Sequence, residues 1–416
     1  MVLPASIEAA KHTLLIFGCV LAIGTFTGLM ARRMKVPDVA VFPIVGMLIG
    51  PQALGLIDIK PDSALNQVLF LFGASYILFD GGASLRFKIL KEVWITIVVL
   101  ATIGVVITAA ITGIAAYCVL GGPFIAALLL GATLASTDPA TLVPIFQQVN
   151  IRDRVAQTVV SESAFNDATG AITTSAVLAA AIGTGEFSLA ASVLDLSKQL
   201  IIGIAAGAAF GYLAALLIAH ERWALLAEYA PVVTLAAVIG AYFTADGLQA
   251  SGFTAVFVFG IVLGNRSSFG LKMRAGEAQR LEEFVTTTSF IMRLFIFILF
   301  GAQIDFGLVR EYLAGGIIVV GVFITIARPV TVFLCALPDR RARWSVNEML
   351  FMCWTRETGV IPAALASLLV AMQVPGAHLI AAVTFIAVLM TILIQAPTTK
   401  WVSGKLGLLQ ETRTSV

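Results

Sequence analysis

Stretches of about twenty residues with few or no charges recur from one end of this chain to the other, each long enough to cross a bilayer as a helix. About thirteen such spans can be placed at the usual ~20 residues apiece. The composition agrees: 59% of residues are hydrophobic and 12% charged, where a soluble domain carries about 25% charged residues. The expected fold is therefore an all-α polytopic membrane protein. A net charge of +2 speaks against a nucleic-acid partner. Cys19, Cys118, Cys335 and Cys353 stand singly in apolar segments, match no metal-ligand or disulfide spacing, and read as packing residues. No cofactor is implied, and no cleavable signal peptide is expected.

Lysine and arginine cluster in alternate connections. One set holds Arg32, Arg33 and Lys35, then Arg86, Lys88 and Lys91, then Arg152 and Arg154, and continues through Arg222, Arg266 to Arg280, Arg340 to Arg343, Lys400 and Lys405. The opposite set offers little beyond Lys11, Lys60, Lys198 and Arg310. The positive-inside rule then expects the amino terminus outside and the carboxyl terminus in the cytoplasm; the inner membrane of a prokaryote is the expected location.

Two of the spans are not purely apolar. The fifth, near 123–148, contains Thr137-Asp138-Pro139; the twelfth, near 346–371, contains Thr355-Arg356-Glu357-Thr358-Gly359 followed by Pro362. Pro139 cannot donate a backbone hydrogen bond and disfavours helical geometry at Asp138, so a break at membrane depth is expected there. Spans five and twelve run in opposite directions, as corresponding parts of two inverted repeats, and paired interruptions of this kind point to a transporter binding site. The sixth span reads as continuous helix through Ser161-Glu162-Ser163-Ala164-Phe165-Asn166-Asp167. Ser163 and Asp167 share one face, Glu162 and Asn166 another, turned by roughly 100°.

Ionisable groups inside a membrane are costly and mark pathways or sites. A hard monovalent cation takes oxygen ligands, and Asp138, Asp167, the Ser163 hydroxyl and a carbonyl freed at Thr137 could supply them to Na+. The plainer alternative is a carboxylate satisfied by backbone amides at a helix break. Asn166 can shape the site by hydrogen bonding but carries no proton. Glu162 and Arg356 read as a structural ion pair, since an unpaired buried charge costs several kcal/mol. Arg356 could instead bind freed carbonyls or contact an anionic substrate. Asp80 reads as capping a helix end. Arg293, deep in its span, reads as packing against free carbonyls, with Asp305 or Glu357 as partners. No histidine lies near a span centre, and no residue is placed to activate a serine for intramembrane catalysis, so the chain is not read as an enzyme.

Thr137-Asp138-Pro139, Glu162-Ser163-Ala164-Phe165-Asn166-Asp167, Trp354-Thr355-Arg356 and Leu78-Phe79-Asp80-Gly81-Gly82 together resemble the monovalent cation/proton antiporter superfamily over essentially the whole chain. The Asn166-Asp167 pair resembles its electroneutral NhaP-type sodium/proton branch. The resemblance implies a homodimer whose protomers carry a moving core (about 93–182 and 312–398), a dimerisation scaffold (about 12–84 and 224–303) and a linker helix (about 196–219), within one transporter unit over 1–399 followed by a short tail, 400–416. It implies cation ligation by Asp138, Asp167, Ser163 and the Thr137 carbonyl, with Glu162 paired to Arg356. The expected activity is exchange of Na+ or Li+ for H+, one for one, with K+/H+ exchange as the alternative and a sodium-coupled organic anion carrier as a remoter one. The chain departs from the pattern at Glu357, where the family usually has glycine; with Asn166 and Pro139 it reads as shaping the site, by pairing with Arg356 or Arg293 or by adding charge to the cation path.

Overall fold

The computed structural model describes residues 5–410 apart from 35, 37, 61–62, 139–141, 144, 147–148, 182–188 and 220–225. Pro139, Lys35, His220 and Arg222 lie outside the described residues. The protein is all-helical, with thirteen spans and no strand among the described residues. In order these are α1 (Ala5–Met34), α2 (Asp38–Ile49), α3 (Ala64–Ala83), α4 (Phe87–Leu120), α5 (beginning with Phe124–Ala135), α6 (Asp153–Ala181) and α7 (Leu189–Ala219). They continue with α8 (Ala227–Gly247), α9 (Gly252–Gly264), α10 (Ala275–Ala302), α11 (Phe306–Ala336), α12 in two halves (Val346–Trp354 and Val360–Ala371) and α13 (Ala377–Lys405). Eight of the described helices are long and apolar enough to cross a membrane on that ground alone. The long helix α6 is not among them, because Gln157, Ser161, Glu162, Ser163, Asn166 and Asp167 dilute it. Its polar stretch from Ser161 to Ser163, with Asn166 and Asp167, is buried by neighbouring helices rather than by lipid.

The helices pack in two groups. In one, α2 lies on α10 and α1, α3 on α9 and α10, and α9 on α7 and α8; in the other, α4 packs on α5, α6 and α11, α13 on α11 and α5, and the second half of α12 on α13. Between membrane helices the solvent offers little drive to associate, so close backbone approach has to supply contact. The α3–α9 seam shows how: Gly82 faces the Phe257 carbonyl, while Gly260 and Gly264 face the carbonyls of Phe79 and Ala83, leaving no room for a Cβ on any of the three. Leu14, Phe26, Leu194, Ile201 and Val232 stand exposed on the outer surface, which suits contact with hydrocarbon.

Two spans carry a π-turn immediately ahead of a proline. α11 has one at Phe323–Ala327, before Arg328-Pro329, and α13 has one at Thr391–Gln395, before Ala396-Pro397. Each proline removes a backbone donor and crowds the preceding turn, and the wider turn accommodates it. Both π-turns lie beside α12. At one end of the bundle, Ser345 and Glu348 form a reciprocal cap at the start of α12. Glu348 also reaches Arg152 at 3.0 Å and Arg154 at 3.4 Å, tying α12 to the start of α6. The segment after α13 joins the same knot, with the Arg152 and Gln410 amides donating to the Leu408 and Asn150 carbonyls.

Candidate functional site: two broken helices meeting beside α6

The first part of α5 ends at Ala135 and the chain turns extended at Ser136. The first half of α12 ends at Trp354, and its second half begins at Val360. The two breaks touch: the Asp138 amide donates to the Glu357 carbonyl at 2.9 Å. Each helix end exposes backbone groups that membrane interior cannot solvate, so side chains must satisfy them. Arg356 donates to the Ala135 carbonyl at the end of the first part of α5, and to Thr108 Oγ1 at 3.5 Å, with its guanidinium over the Phe323 ring. Arg328 Nε donates to the Met352 carbonyl and Gln395 Nε2 to the Trp354 carbonyl, at the end of the first half of α12. Thr391 Oγ1 accepts from the Thr358 amide at 3.1 Å. Both arginines thus sit where a helix ends with its partial negative charge.

α6 lies alongside the α5 break. Thr137 donates through its amide to Asn166 Oδ1 (3.1 Å) and through its hydroxyl to Ser163 Oγ (2.9 Å). Asn166 Nδ2 donates to Thr137 Oγ1 (2.7 Å) and to Glu162 Oε1 (3.2 Å). Ser136 Oγ donates to Asp167 Oδ1, while Asp167 Oδ2 is buried with no hydrogen-bond partner. Asp167 feels the charges of Asp138 and Glu162. Gly170, one turn further along, lies so close to Ser136 that a Cβ there would collide with the serine Cβ. The Asp138 carboxyl packs on Gly359, just ahead of the second half of α12, where a Cβ would overlap it. That places a carboxylate at the positive end of a half-helix.

The structure thus brings Thr137, Asp138, Ser163, Asn166 and Asp167 to one place, and joins Glu162 to them through Asn166. It corrects the expected ion pair. Glu162 is paired not with Arg356 but with Arg328, whose Nη1 and Nη2 meet the two carboxylate oxygens at 3.0 and 2.8 Å, all of it buried. Arg356 instead takes the carbonyl-binding role, on α5 rather than on its own helix. The signal for Arg328 was an arginine beside a proline deep in an apolar span. Ser136, Thr391 and Gln395 are hydroxyl and amide groups with no comparable signal in the sequence. Nor does Arg293 find Asp305 or Glu357. Asp305 caps α11 through the Gly307 and Leu308 amides. Arg293 lies near the Phe290 ring and acts electrostatically on Asp80. A cleft of about 140 Å³ opens between the turn after α3 (Ser84, Leu85), the segment beyond the α5 break (Val143, Phe146) and the start of α6 (Asp153, Ala156, Gln157, Val160). Asp153, Gln157, Val160 and Asp167 follow helical spacing, so the cleft runs along a face of α6 that leads toward Asp167.

A bundle of apolar helices, interrupted twice at one depth and holding acceptor-only carboxylates at the interruptions, is the architecture of a secondary ion transporter. The chain belongs to the transmembrane sodium/hydrogen exchanger family, whose profile matches residues 19–405. It is 32% identical over 367 residues to Na+/H+ antiporter 1 of Methanocaldococcus jannaschii, covering 84% of this chain and 81% of that protein. It is 30% identical over 403 residues to the K+/H+ antiporter NhaP of Alkalimonas amylolytica, covering 95% of this chain and 67% of that one. In three dimensions it is similar to the sodium proton antiporter MjNhaP1 from M. jannaschii at pH 8, with a TM-score of 0.79, 28% identity, and coverage of 96% of this chain and 99% of the other.

Proposed function

We propose that the protein exchanges Na+ or Li+ for H+ one for one, with cation and proton competing for Asp167. One observation carries this reading: Asp167 has one oxygen held by Ser136 and the other buried, unpartnered, in a site whose neighbouring groups are Thr137, Ser163 and Asp138. A carboxylate with a lone oxygen in a buried site calls for a positive charge, and either a cation or a proton supplies it. Asp138, against the half-helix start, keeps its charge and serves as a fixed ligand with Ser163 and Thr137. Glu162 and Arg328 cancel and stay paired. Each loaded form of the site then has the same net charge.

Alternating access would come from the group of α4–α6 and α11–α13 moving against α1–α3 and α8–α10, with α7 linking them. The family resemblance adds a homodimer joined through that second group, an amino terminus outside and a carboxyl terminus in the cytoplasm. K+/H+ exchange is the second reading, because a relative of nearly equal identity is named as a K+/H+ antiporter. Reconstituted vesicles with an imposed pH gradient, challenged with Na+, Li+, K+ and choline salts, test the assignment. Dissipation by Na+ or Li+, unaffected by an imposed membrane potential, is the expected result. Acceleration by the potential would reject one-for-one exchange, and a response to K+ alone would move the assignment to potassium.

A further inference from the structure

Where the first part of α5 stops, the backbone at Ser136 is extended (φ −75°, ψ 144°). Its side chain, like that of Thr137, reaches across to α6 instead of folding back on its own helix: Thr137 meets Ser163, and Ser136, wholly buried, donates its hydroxyl to Asp167 Oδ1. The position of the serine is fixed by α6 itself. Asp167 and Gly170 lie three residues apart on one face of that helix, and Ser136 rests on both. A Cβ on Gly170 would lie 2.8 Å from the Ser136 Cβ and 3.4 Å from its Cα and amide nitrogen. Only a hydrogen fits there, so Ser136 is seated directly on the α6 backbone and its hydroxyl is delivered to the carboxylate one turn away.

The two oxygens of Asp167 are thereby made unequal. The last torsion of an aspartate is broad and roughly two-fold, so a carboxylate with nothing holding it can turn to offer a cation one oxygen or both. Here Oδ1 is engaged by a hydroxyl donor, while Oδ2 is buried without a hydrogen-bond partner. A single oxygen is then presented to the site. A carboxylate that grips with both oxygens suits the longer contact distances of a larger ion, and ligand number and rigidity are what separate cations of equal charge.

We propose that Ser136 is a specificity-determining residue of the exchange: by occupying Oδ1 it makes Asp167 a one-oxygen ligand and favours Li+ and Na+ over K+. This rests on the antiport reading and deepens it, by naming the group that chooses among the alkali cations at Asp167. The test is Ser136→Ala, which frees Oδ1 without adding bulk, in reconstituted vesicles. Half-saturating concentration and maximal rate are measured for Li+, Na+ and K+ at one fixed pH, where proton competition scales all three alike and cancels from their ratios. The affinity ratios are expected to move toward the larger ion by about fivefold or more, the scale of one net hydrogen bond. A hydroxyl that merely packed the two helices together would change stability or rate for all three ions alike, so ratios within about twofold of wild type overturn the proposal. Should the alanine variant fail to fold, Ser136→Cys decides: the thiol fills the space but is a weak donor, so the ratios must move in the same direction, and unmoved ratios overturn the proposal. A wild-type protein that exchanges none of the three cations would defeat the antiport reading and this one with it. Wild-type exchange with unmoved ratios in the variants defeats this inference alone.

Discussion

Removing Arg328 should be among the most damaging single changes to the stability of this protein. In Arg328→Met the long apolar side chain keeps most of the volume, but Glu162 loses both charge-assisted hydrogen bonds, at 3.0 and 2.8 Å, and the Met352 carbonyl loses its donor. With charge centres about 4 Å apart and an effective dielectric near 20, the lost attraction is about 4 kcal/mol. Breaking a buried pair from one side typically costs ~3–5 kcal/mol, and an orphaned buried carbonyl adds ~1–3 kcal/mol. Glu162 retains only Asn166 Nδ2, at 3.2 Å. The double variant Glu162→Gln/Arg328→Met removes the stranded carboxylate, so it should recover about 2 kcal/mol or more of the summed single losses. Arg356 attracts Glu162 without bonding to it, so the cycle with Arg356→Met should show less than half that coupling. Denaturant titration in mixed micelles, followed by tryptophan fluorescence, gives each value. Additive losses for Glu162 and Arg328, or a larger coupling with Arg356, would refute the assignment of the pair.

Asp167→Asn keeps the shape of the side chain and should abolish exchange in vesicles while leaving thermal stability near wild type; residual pH-gradient dissipation by Na+ would remove Asp167 from the carrier role. Gly359→Ala places a methyl group where the Asp138 carboxyl lies, so cation affinity should fall about tenfold or more as that ligand is displaced. Titration calorimetry with wild-type affinity for this variant would show that Asp138 is not a ligand. Because proton and cation seek one group, apparent cation affinity should fall as pH drops, approaching about tenfold per pH unit on the acid side. An affinity independent of pH would rule out competition.

Much of the architecture was legible because it is local. Span length against bilayer thickness gave the thirteen helices, and helical periodicity set Ser163 with Asp167 and Glu162 with Asn166. Pro139 and the polar run 355–359 located the two breaks, which meet through Asp138 and Glu357. The functional class followed, since intramembrane carboxylates at paired interruptions have few other uses.

The choice of partner for each buried charge was not local. Two arginines, Arg328 and Arg356, lie within reach of the site, and sequence spacing cannot say which faces Glu162. Rotation about the helix axis decides it. The π-turn at Phe323–Ala327 ends at the residue before Arg328, and each residue of register is worth roughly 100° of turn, enough to choose between the core and the lipid. Arg356 is steered by a backbone need, the Ala135 carbonyl left open where α5 breaks, and that carbonyl is far away in sequence. The chain by itself determined which groups had to be buried together in hydrocarbon. Only the packed helices, each with a fixed rotation and break, determined which donor reached which acceptor, because a hydrogen bond made or missed depends on fractions of an ångström that no sequence period specifies.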